Sequence, residues 1–252
     1  MPDDHPYEPS PASPGGGPTA SVLLESPALD VDAQRVTDAP STWVDLALHA
    51  PGELAWAEAQ RAREAAPVRS LLGRLMGVHT EERAWQLGAE GEVRVAAQLD
   101  RLRRRDERWR YLHAIPVGDN GADIDHLVVG PAGVFTLNAK HHPNARIWVG
   151  GDVLLVNGAR QPYVRNSRHE AARASRLLSA ACGFPVAVSG IVVPVNAADI
   201  TIKKSPPDVR IVGRRRLRRW LRRQPQILDE ATCCAIFEQA RRSTTWSCPQ
   251  SG

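Results

Sequence analysis

The chain has 252 residues, and 42% of them are hydrophobic, which excludes a protein that is disordered throughout because the chain can bury a core. Its formal net charge is +4 and its pI is about 9.1, so an anionic partner is favoured, with nucleic acid as the leading class. Coding bias towards arginine is the alternative explanation of this charge.

The start of the chain is acidic and rich in proline and glycine. Its Asp and Glu residues are accompanied by only one arginine, Arg35, and by no lysine, so residues 1–40 are predicted to be a disordered acidic tail.

The sequence also bears on location. The acidic segment lacks the basic and then apolar order of a signal peptide, and no apolar run approaches the roughly 18 residues that cross a bilayer. The four cysteines form no CxxC pair that would indicate a zinc site. We therefore expect a cytoplasmic protein that does not associate with a membrane.

Two helical regions are predicted after the tail. Residues 41–79 include an alanine-rich stretch and are predicted to form a helical lead-in. A helix that opens at Thr80 follows, and its apolar stripe repeats with a period near 3.6. The stripe consists of Trp85, either Gly88 or Ala89, Glu92, Val95 with Ala96, Leu99 and Leu102. Glu92 lies on the stripe whereas Glu90 is expected to face water, and a carboxylate on a core-facing stripe is costly unless it binds metal, pairs with an arginine or reaches a crevice.

A predicted β-hairpin carries an unusual basic residue. The apolar runs Ile124–Val129 and Val134–Lys140 are separated by a Gly/Pro turn. Lys140 is one of only three lysines in an arginine-rich chain, and strand alternation places it on one face with Asn138 and His142. An ammonium can meet a phosphate or a nucleophilic water as a compact charge. A chance lysine that reaches solvent from a strand end is the alternative.

The remaining predicted elements alternate between strands and helices. They are a strand at Trp109–Ile115, a hairpin of Arg146–Val149 with Val153–Val156, a helix opened by a capping box at Ser167–Glu170 and ended by Gly183, a buried strand within Pro185–Pro194, a short strand at Asp208–Val212, an arginine-rich helix at Arg214–Arg223 and a last helix at residues 229–243.

Three separate segments of the chain carry a family resemblance. They are Gly88-Ala89-Glu90-Gly91-Glu92, Ile124-Asp125-His126-Leu127-Val128-Val129-Gly130-Pro131-Ala132-Gly133-Val134-Phe135 and the later Trp220-Leu221. Together they resemble the NERD (nuclease-related) domain of the PD-(D/E)xK nuclease superfamily. The resemblance covers roughly residues 80–225 and leaves residues 226–252 as a C-terminal helix and tail. It implies an α/β fold with a restriction-endonuclease-like αβββαβ core and flanking helices.

The resemblance also implies an activity and a set of site residues. Glu92 corresponds to the helix carboxylate, Asp125 to the central metal-binding aspartate and Lys140 to the lysine of the E-x-K element. The implied reaction is hydrolysis of DNA phosphodiester bonds that depends on Mg²⁺ or Mn²⁺. Lysine would steady the attacking water or the developing negative charge.

One position departs from the family pattern. Asn138 replaces the acid two residues before Lys140, so the implied metal ligands are two carboxylates, Glu92 and Asp125, and one neutral amide. Either Asp123 or His142 completes the site, or metal binding has weakened. The alternative function is therefore a catalytically impaired nucleic-acid-binding module on the same fold. The sequence leaves the oligomeric state open.

The arginine-rich helix is the predicted contact surface for nucleic acid. Its outward residues are Arg214, Arg215, Arg218, Arg219 and Arg222. Such a face binds phosphates without reading the base sequence. The alternatives are a solvated helix face, or a protein-interaction surface that meets an acidic partner or the acidic tail of the chain itself.

Overall fold

The computed structural model describes residues 43–54, 56, 57, 60, 61, 81–118 and 122–247. The predicted acidic tail and much of the predicted helical lead-in lie outside these residues. Of the lead-in, the structure shows a 3₁₀ turn at Leu46–Leu48, which begins where the Asp45 carboxylate accepts a hydrogen bond from the Ala47 backbone N–H. None of the helices in the described part of the chain combines the length and the hydropathy required to span a membrane.

Helices and strands alternate along the described residues. The helices are α1 (Glu81–Arg103), α2 (Tyr163–Cys182), α3 (Arg214–Leu221) and α4 (Glu230–Ala240), and the strands are β1 (Arg110–Pro116), β2 (Asp123–Gly130), β3 (Gly133–His141), β4 (Arg146–Gly150), β5 (Val153–Val156), β6 (Ala159–Gln161), β7 (Val188–Val195), β8 (Asp199–Lys204) and β9 (Val209–Ile211). A second 3₁₀ turn occupies Ser243–Thr245.

Five strands form the main sheet, in the order β1-β2-β3-β7-β9. The first three make an antiparallel meander, and β7 and β9 continue the sheet in parallel with β3. β7 is an interior strand, as its continuous apolar run predicts. The order of α1, the meander, α2 and β7 confirms the predicted α/β class and αβββαβ order.

The hairpin of β2 and β3 has the predicted turn. Gly130 pairs with Gly133, so that Pro131 and Ala132 form the loop between them. Gly133 has a φ of 118°, a backbone conformation that L side chains rarely adopt, and this accounts for glycine at the second end of the turn.

Helices cover both faces of the main sheet. Phe135, Leu137 and Ala139 of β3 pack with α1 and α3, whereas α2 and α4 pack on the other face. This division confirms that the three apolar residues share one face of β3, opposite to Asn138 and Lys140. Each large side chain buried in these layers contributes about 1.5–3 kcal/mol of transfer free energy, so the packing holds β3 in a defined register.

The stripe on α1 is confirmed except at its start. Glu92 is only 6% exposed, among the buried residues Ala89, Val95, Leu99 and Leu102. Trp85, predicted to face inward, is instead 45% exposed. The prediction for Trp85 was wrong, because the described residues of this helix become buried only from Ala89 onwards.

Helix α2 begins earlier than the sequence predicts. Tyr163 is its first residue and Pro162 precedes it, so the proposed capping box at Ser167–Glu170 lies inside the helix. A proline just before the first turn removes no helical hydrogen bond, so the helix can begin directly after Pro162 and not at the predicted capping box. The predicted C-terminus is confirmed, because Gly183 ends the helix in the left-handed conformation.

A second sheet follows the order β6-β5-β4-β8. Its central hairpin, β4 with β5, was predicted. Its two edge strands were not: β6 has three residues, and β8 is largely polar and exposed. β8 pairs in parallel with β4, a long-range contact that local sequence patterns do not indicate.

Candidate active site

Asp125 lies where the ladder between β2 and β3 ends. The last backbone pair of these strands is His126 with Leu137. One residue further, the Asp125 carboxylate accepts a hydrogen bond from the Ala139 backbone N–H at 2.7 Å. β3 meanwhile stays paired with β7 as far as His141. The side chain of Asp125 therefore takes the place of a backbone acceptor and is fixed between the two strand ends.

Glu92 reaches the same region from α1. Its Oε2 accepts a hydrogen bond from the Gly52 backbone N–H at 3.0 Å. A side chain at Gly52 would place its Cβ 3.1 Å from Ala89 of the helix, so glycine permits this close approach. Burial, together with the charges of Asp125 and Asp123, raises the pKa of Glu92 to about 9. The Gly52 N–H and Lys140 oppose this rise.

Asp123 and Asp125, on alternate positions of β2, complete this acidic group. Burial and the neighbouring Asp125 raise the pKa of Asp123 to about 6. Burial also raises the pKa of Asp125, against the opposing effects of Lys140 and of the Ala139 N–H. The charge of Lys140 lowers the pKa of all three carboxyl groups, so each lies within its electrostatic range.

Lys140 is positioned by an aromatic residue of α2. Its Nζ lies 5.5 Å from the centroid of the Tyr163 ring. The Tyr163 hydroxyl bonds His142 Nε2 at 2.9 Å, and the two rings stack with centroids 5.7 Å apart. Burial lowers the pKa of His142, and Lys140 and His141 lower it further. His142 is thus engaged with Tyr163 beside the acidic group.

Asn138 is paired with a carboxylate that the sequence did not identify as a site residue. Its Nδ2 donates a hydrogen bond to Glu170 Oε2 of α2 at 3.0 Å. Burial and the charge of Asp125 together raise the pKa of Glu170 to about 7. The signal that could have revealed Glu170 is its spacing, since it lies three residues after the buried Ser167 and four before the buried Ala174 on α2.

The donor types at this site suit a hard divalent cation. Carboxylate and amide oxygens are the ligands that Mg²⁺ and Mn²⁺ prefer. Asn138 Oδ1 is buried without a hydrogen-bond partner among the described residues, whereas the Thr136 hydroxyl lies beside the Glu170 carboxylate and lowers its pKa. In the same part of the chain, however, no three His, Cys, Asp or Glu side chains are arranged to hold a metal ion. Side-chain rotation would be needed to bring the oxygens together.

The arginine helix, α3, presents most of its predicted basic residues to solvent. Arg215, Arg218, Arg219 and Arg222 are exposed, and Leu217 and Leu221 are buried against α1. Arg214 differs from the prediction that it points outward. It is partly buried at the start of the helix, and burial and nearby arginines lower its pKa.

A cleft of about 1010 Å³ lies beside the start of this helix. Four arginines contribute to its lining: Arg210, Arg214, Arg215 and Arg216. Asn144 and Asn196 line it as well, and the Asn196 amide bonds His141 Nε2 at 3.0 Å. The cleft, named here the arginine cleft, therefore adjoins the end of β3 that carries Lys140.

Comparison with known families agrees with this geometry. Residues 87–195 match the family model described as the nuclease-related domain, NERD. The match begins within α1 and ends with β7, so it contains Glu92, the meander and α2. Searches of curated proteins and of solved structures gave no match. The chain therefore carries a nuclease-related (NERD) domain at residues 87–195.

Proposed function

We propose that this chain is a metal-dependent nuclease that hydrolyses DNA phosphodiester bonds with Mg²⁺ or Mn²⁺. The proposal is supported by three partly or fully buried carboxylates, Glu92 on α1 and Asp123 and Asp125 on β2, whose pKa values the charge of Lys140 lowers. Without a counter-charge such carboxylates are forced towards the protonated state, because burial penalises the charged form. A divalent cation would remove that penalty.

Glu92 and Asp125 would be the charged metal ligands, and Asn138 would add a neutral oxygen. Each carboxylate has one oxygen held by a backbone N–H, from Gly52 and from Ala139 respectively, which orients the group. Orienting hydrogen bonds of this kind fix the ligand and tune its basicity. Asp123, which raises the pKa of Glu92 and whose own pKa is raised by Asp125, is the auxiliary candidate.

The chemistry follows from these positions. A bound Mg²⁺ would polarise a phosphoryl oxygen and lower the pKa of a ligated water. Lys140 would stabilise the negative charge that develops on the phosphate, since its ammonium is a compact charge that the Tyr163 ring helps to position. His142, bonded to the Tyr163 hydroxyl, supports that ring instead of serving as a metal ligand.

The arginine cleft and the exposed arginines of α3 would hold the DNA. Their guanidinium groups can pair with successive backbone phosphates as the duplex approaches the end of β3. Arginine contacts to phosphates carry no information on base sequence, so binding without sequence preference is proposed.

A second function is supported by one specific observation. Asn138 removes a charge from the site, and the described carboxylates are not arranged as a ready group of three metal ligands. A catalytically impaired nucleic-acid-binding module would retain the arginine cleft and DNA affinity without hydrolysis. This alternative predicts equal DNA affinity with and without a divalent cation.

Nicking of supercoiled plasmid tests the proposal. The purified protein should nick the plasmid with millimolar Mg²⁺ or Mn²⁺ and lose this activity with a chelator. Asp125→Asn should abolish nicking, because it removes a charge from the metal site. Glu90→Gln is the matched control, since Glu90 lies on the same helix as Glu92 but is ion-paired with Arg94 at the surface. DNA binding without any metal-dependent nicking would instead support the binding module.

A further inference from the structure

We infer that the arginine cleft accepts an unpaired strand of DNA, whose bases contact Trp220 while its phosphates meet the cleft arginines. The inference rests on the proposed binding of DNA and names the form of DNA that this surface prefers. It does not depend on a metal ion. The outward arginines of α3 would remain the contact surface for an adjoining duplex.

The cleft offers an anionic ligand an excess of positive charge. Its lining contains the four arginines named above and a single acidic residue, Asp199, whose carboxylate accepts a hydrogen bond from the Thr201 hydroxyl at 2.8 Å. None of the four arginines forms a salt bridge with an acidic side chain in the described part of the chain. Because like charges gathered in this way repel one another, the lining is suited to phosphates.

The start of α3 adds to this excess of charge. Arg214, Arg215 and Arg216 form its first turn, where the helix dipole is already positive, and this turn has neither an acidic residue nor a side-chain cap. Arg214 Nε is buried and has no hydrogen-bond partner among the described residues. A phosphate at this position would accept the free hydrogen bond and offset the dipole.

The apolar part of the lining favours an unpaired strand over a duplex. Trp220 and Ile202 both line the cleft, and the Ile202 side chain is 42% exposed. Phe135 contacts the Trp220 ring edge to face, with the ring centroids 6.0 Å apart, which holds the indole in place. In a duplex the flat faces of the bases are already stacked on one another, so apolar side chains add little to its binding. Unpaired bases can stack on an indole and contact an isoleucine.

The size and the place of the cleft agree with this form of DNA. Pockets of about 300–1000 Å³ take single small ligands, so a cleft of about 1010 Å³ has the size for a few nucleotides and not for a double helix. Gly213 lets β8 approach the start of α3, since a Cβ there would lie 2.9 Å from Ile200 Cδ1. Pro194, also in the lining, pairs with Lys140 in the ladder between β3 and β7. The cleft thus borders the strand that carries the proposed active-site lysine.

Fluorescence anisotropy in the presence of a chelator tests the inference, because binding is then measured without cleavage. The probes are one labelled oligonucleotide as a single strand, as a blunt duplex, and as the same duplex with an unpaired extension. The wild type should bind the single strand and the extended duplex at least about fivefold more tightly than the blunt duplex.

Two variants in the cleft and one outside it show where the strand binds. Trp220→Leu should weaken binding of the single strand at least about fivefold and leave binding of the blunt duplex within about twofold. Ile202→Glu places a negative charge in the cleft at an exposed position and should weaken binding of the single strand to a similar extent. Trp148→Leu is the matched control, because Trp148 is 38% exposed on β4 and does not line the cleft. If melting temperatures show that Trp220→Leu does not fold, Ile202→Glu decides the outcome.

The possible results separate this inference from the proposed function. Equal affinity of the wild type for the single strand and the blunt duplex would overturn the inference, as would an Ile202→Glu variant that binds the single strand like the wild type. The proposed function would survive either result if the wild type nicked plasmid with Mg²⁺. If the single strand is preferred and the variants lose that preference, but no metal supports nicking, the inference stands and the proposed nuclease activity fails.

Discussion

The Lys140 ammonium lies over the ring of Tyr163, 5.5 Å from its centroid, and the hydroxyl of that ring bonds His142. Tyr163 thus links the proposed active-site lysine to α2. A cation–π contact of this kind contributes about 0.5–2 kcal/mol, depending on how far it is shielded from water. Its removal should therefore be measurable in the rate of cleavage.

Tyr163→Leu should lower the single-turnover rate of plasmid nicking by about 2-fold to 30-fold, because the lysine loses the ring that positions it. Tyr163→Phe keeps the ring and loses only the bond to His142, so its rate should lie near that of the wild type. Metal affinity should be unchanged in both. Equal rates for Tyr163→Leu and Tyr163→Phe would show that the ring has no role in positioning Lys140.

Two buried histidines should make the protein sensitive to acid. His113 and His126 share a hydrogen bond between their Nδ1 atoms at 2.8 Å on adjacent strands β1 and β2. Burial lowers the pKa of His113 from 6.5 to about 4, and burial and His113 lower the pKa of His126 well below 6.5. The folded state therefore binds these protons less tightly than the unfolded state.

The free energy of unfolding should consequently fall as the pH falls from about 6.5 towards 4, by up to about 1.4 kcal/mol per pH unit for each histidine. The histidine contribution is fully present above the unfolded pKa of 6.5 and is lost below it. Urea denaturation at several pH values should give a shallower dependence for the double variant His113→Leu/His126→Leu. Parallel curves for the two proteins would contradict this assignment.

Glu92, in contrast to the histidines, should make the free energy of unfolding fall as the pH rises. Its pKa of about 9 in the folded state lies above the ordinary 4.5, so its contribution to stability is present below about 4.5 and is lost as the pH rises towards 9. With a chelator present, Glu92→Gln should become increasingly more stable than the wild type over this range, since the amide does not ionise. Thermal melts at matched pH values measure the difference. A constant difference across the range would mean that Glu92 is ionised throughout.

The arginine helix should set the salt dependence of DNA binding. Arg218→Gln/Arg222→Gln should weaken binding to every sequence alike and reduce the slope of log affinity against log salt by about 0.9 for each phosphate that the variant no longer neutralises. The charge-matched control is Arg160→Gln/Arg176→Gln, because Arg160 is on the far edge of the second sheet and Arg176 is on α2. Fluorescence anisotropy over a salt series checks both. A similar change of slope in the control variant would show that DNA binding depends on the net charge of the protein and not on the position of these arginines.

The sequence predicted those features that local patterns encode. The turn at Pro131 and Ala132, the alternation along β3 and the stripe containing Glu92 all follow from short-range periodicity. Glu170 was assigned to a capping box because its spacing from Ser167 fits one. The pairing of Glu170 with Asn138 is a tertiary contact between α2 and β3, which periodicity alone does not reveal.

Long-range packing also explains two other features that the sequence did not predict correctly. β8 became a strand through its parallel pairing with β4, although its own residues are largely polar and exposed. Arg214 has the outward spacing of its neighbours but lies at the helix start, where the packing of α3 on α1 partly buries it. In each case the deciding partner is distant in sequence.

The rate of DNA cleavage by Lys140→Met tests the central claim most directly. Under single-turnover conditions with saturating DNA and Mn²⁺, this variant should cleave at least about a hundredfold more slowly than the wild type, because it lacks the charge that stabilises the reacting phosphate. Mn²⁺ affinity, measured by calorimetry, should persist, since lysine is not a metal ligand. A Lys140→Met protein that cleaves DNA at the wild-type rate would contradict the proposed active site.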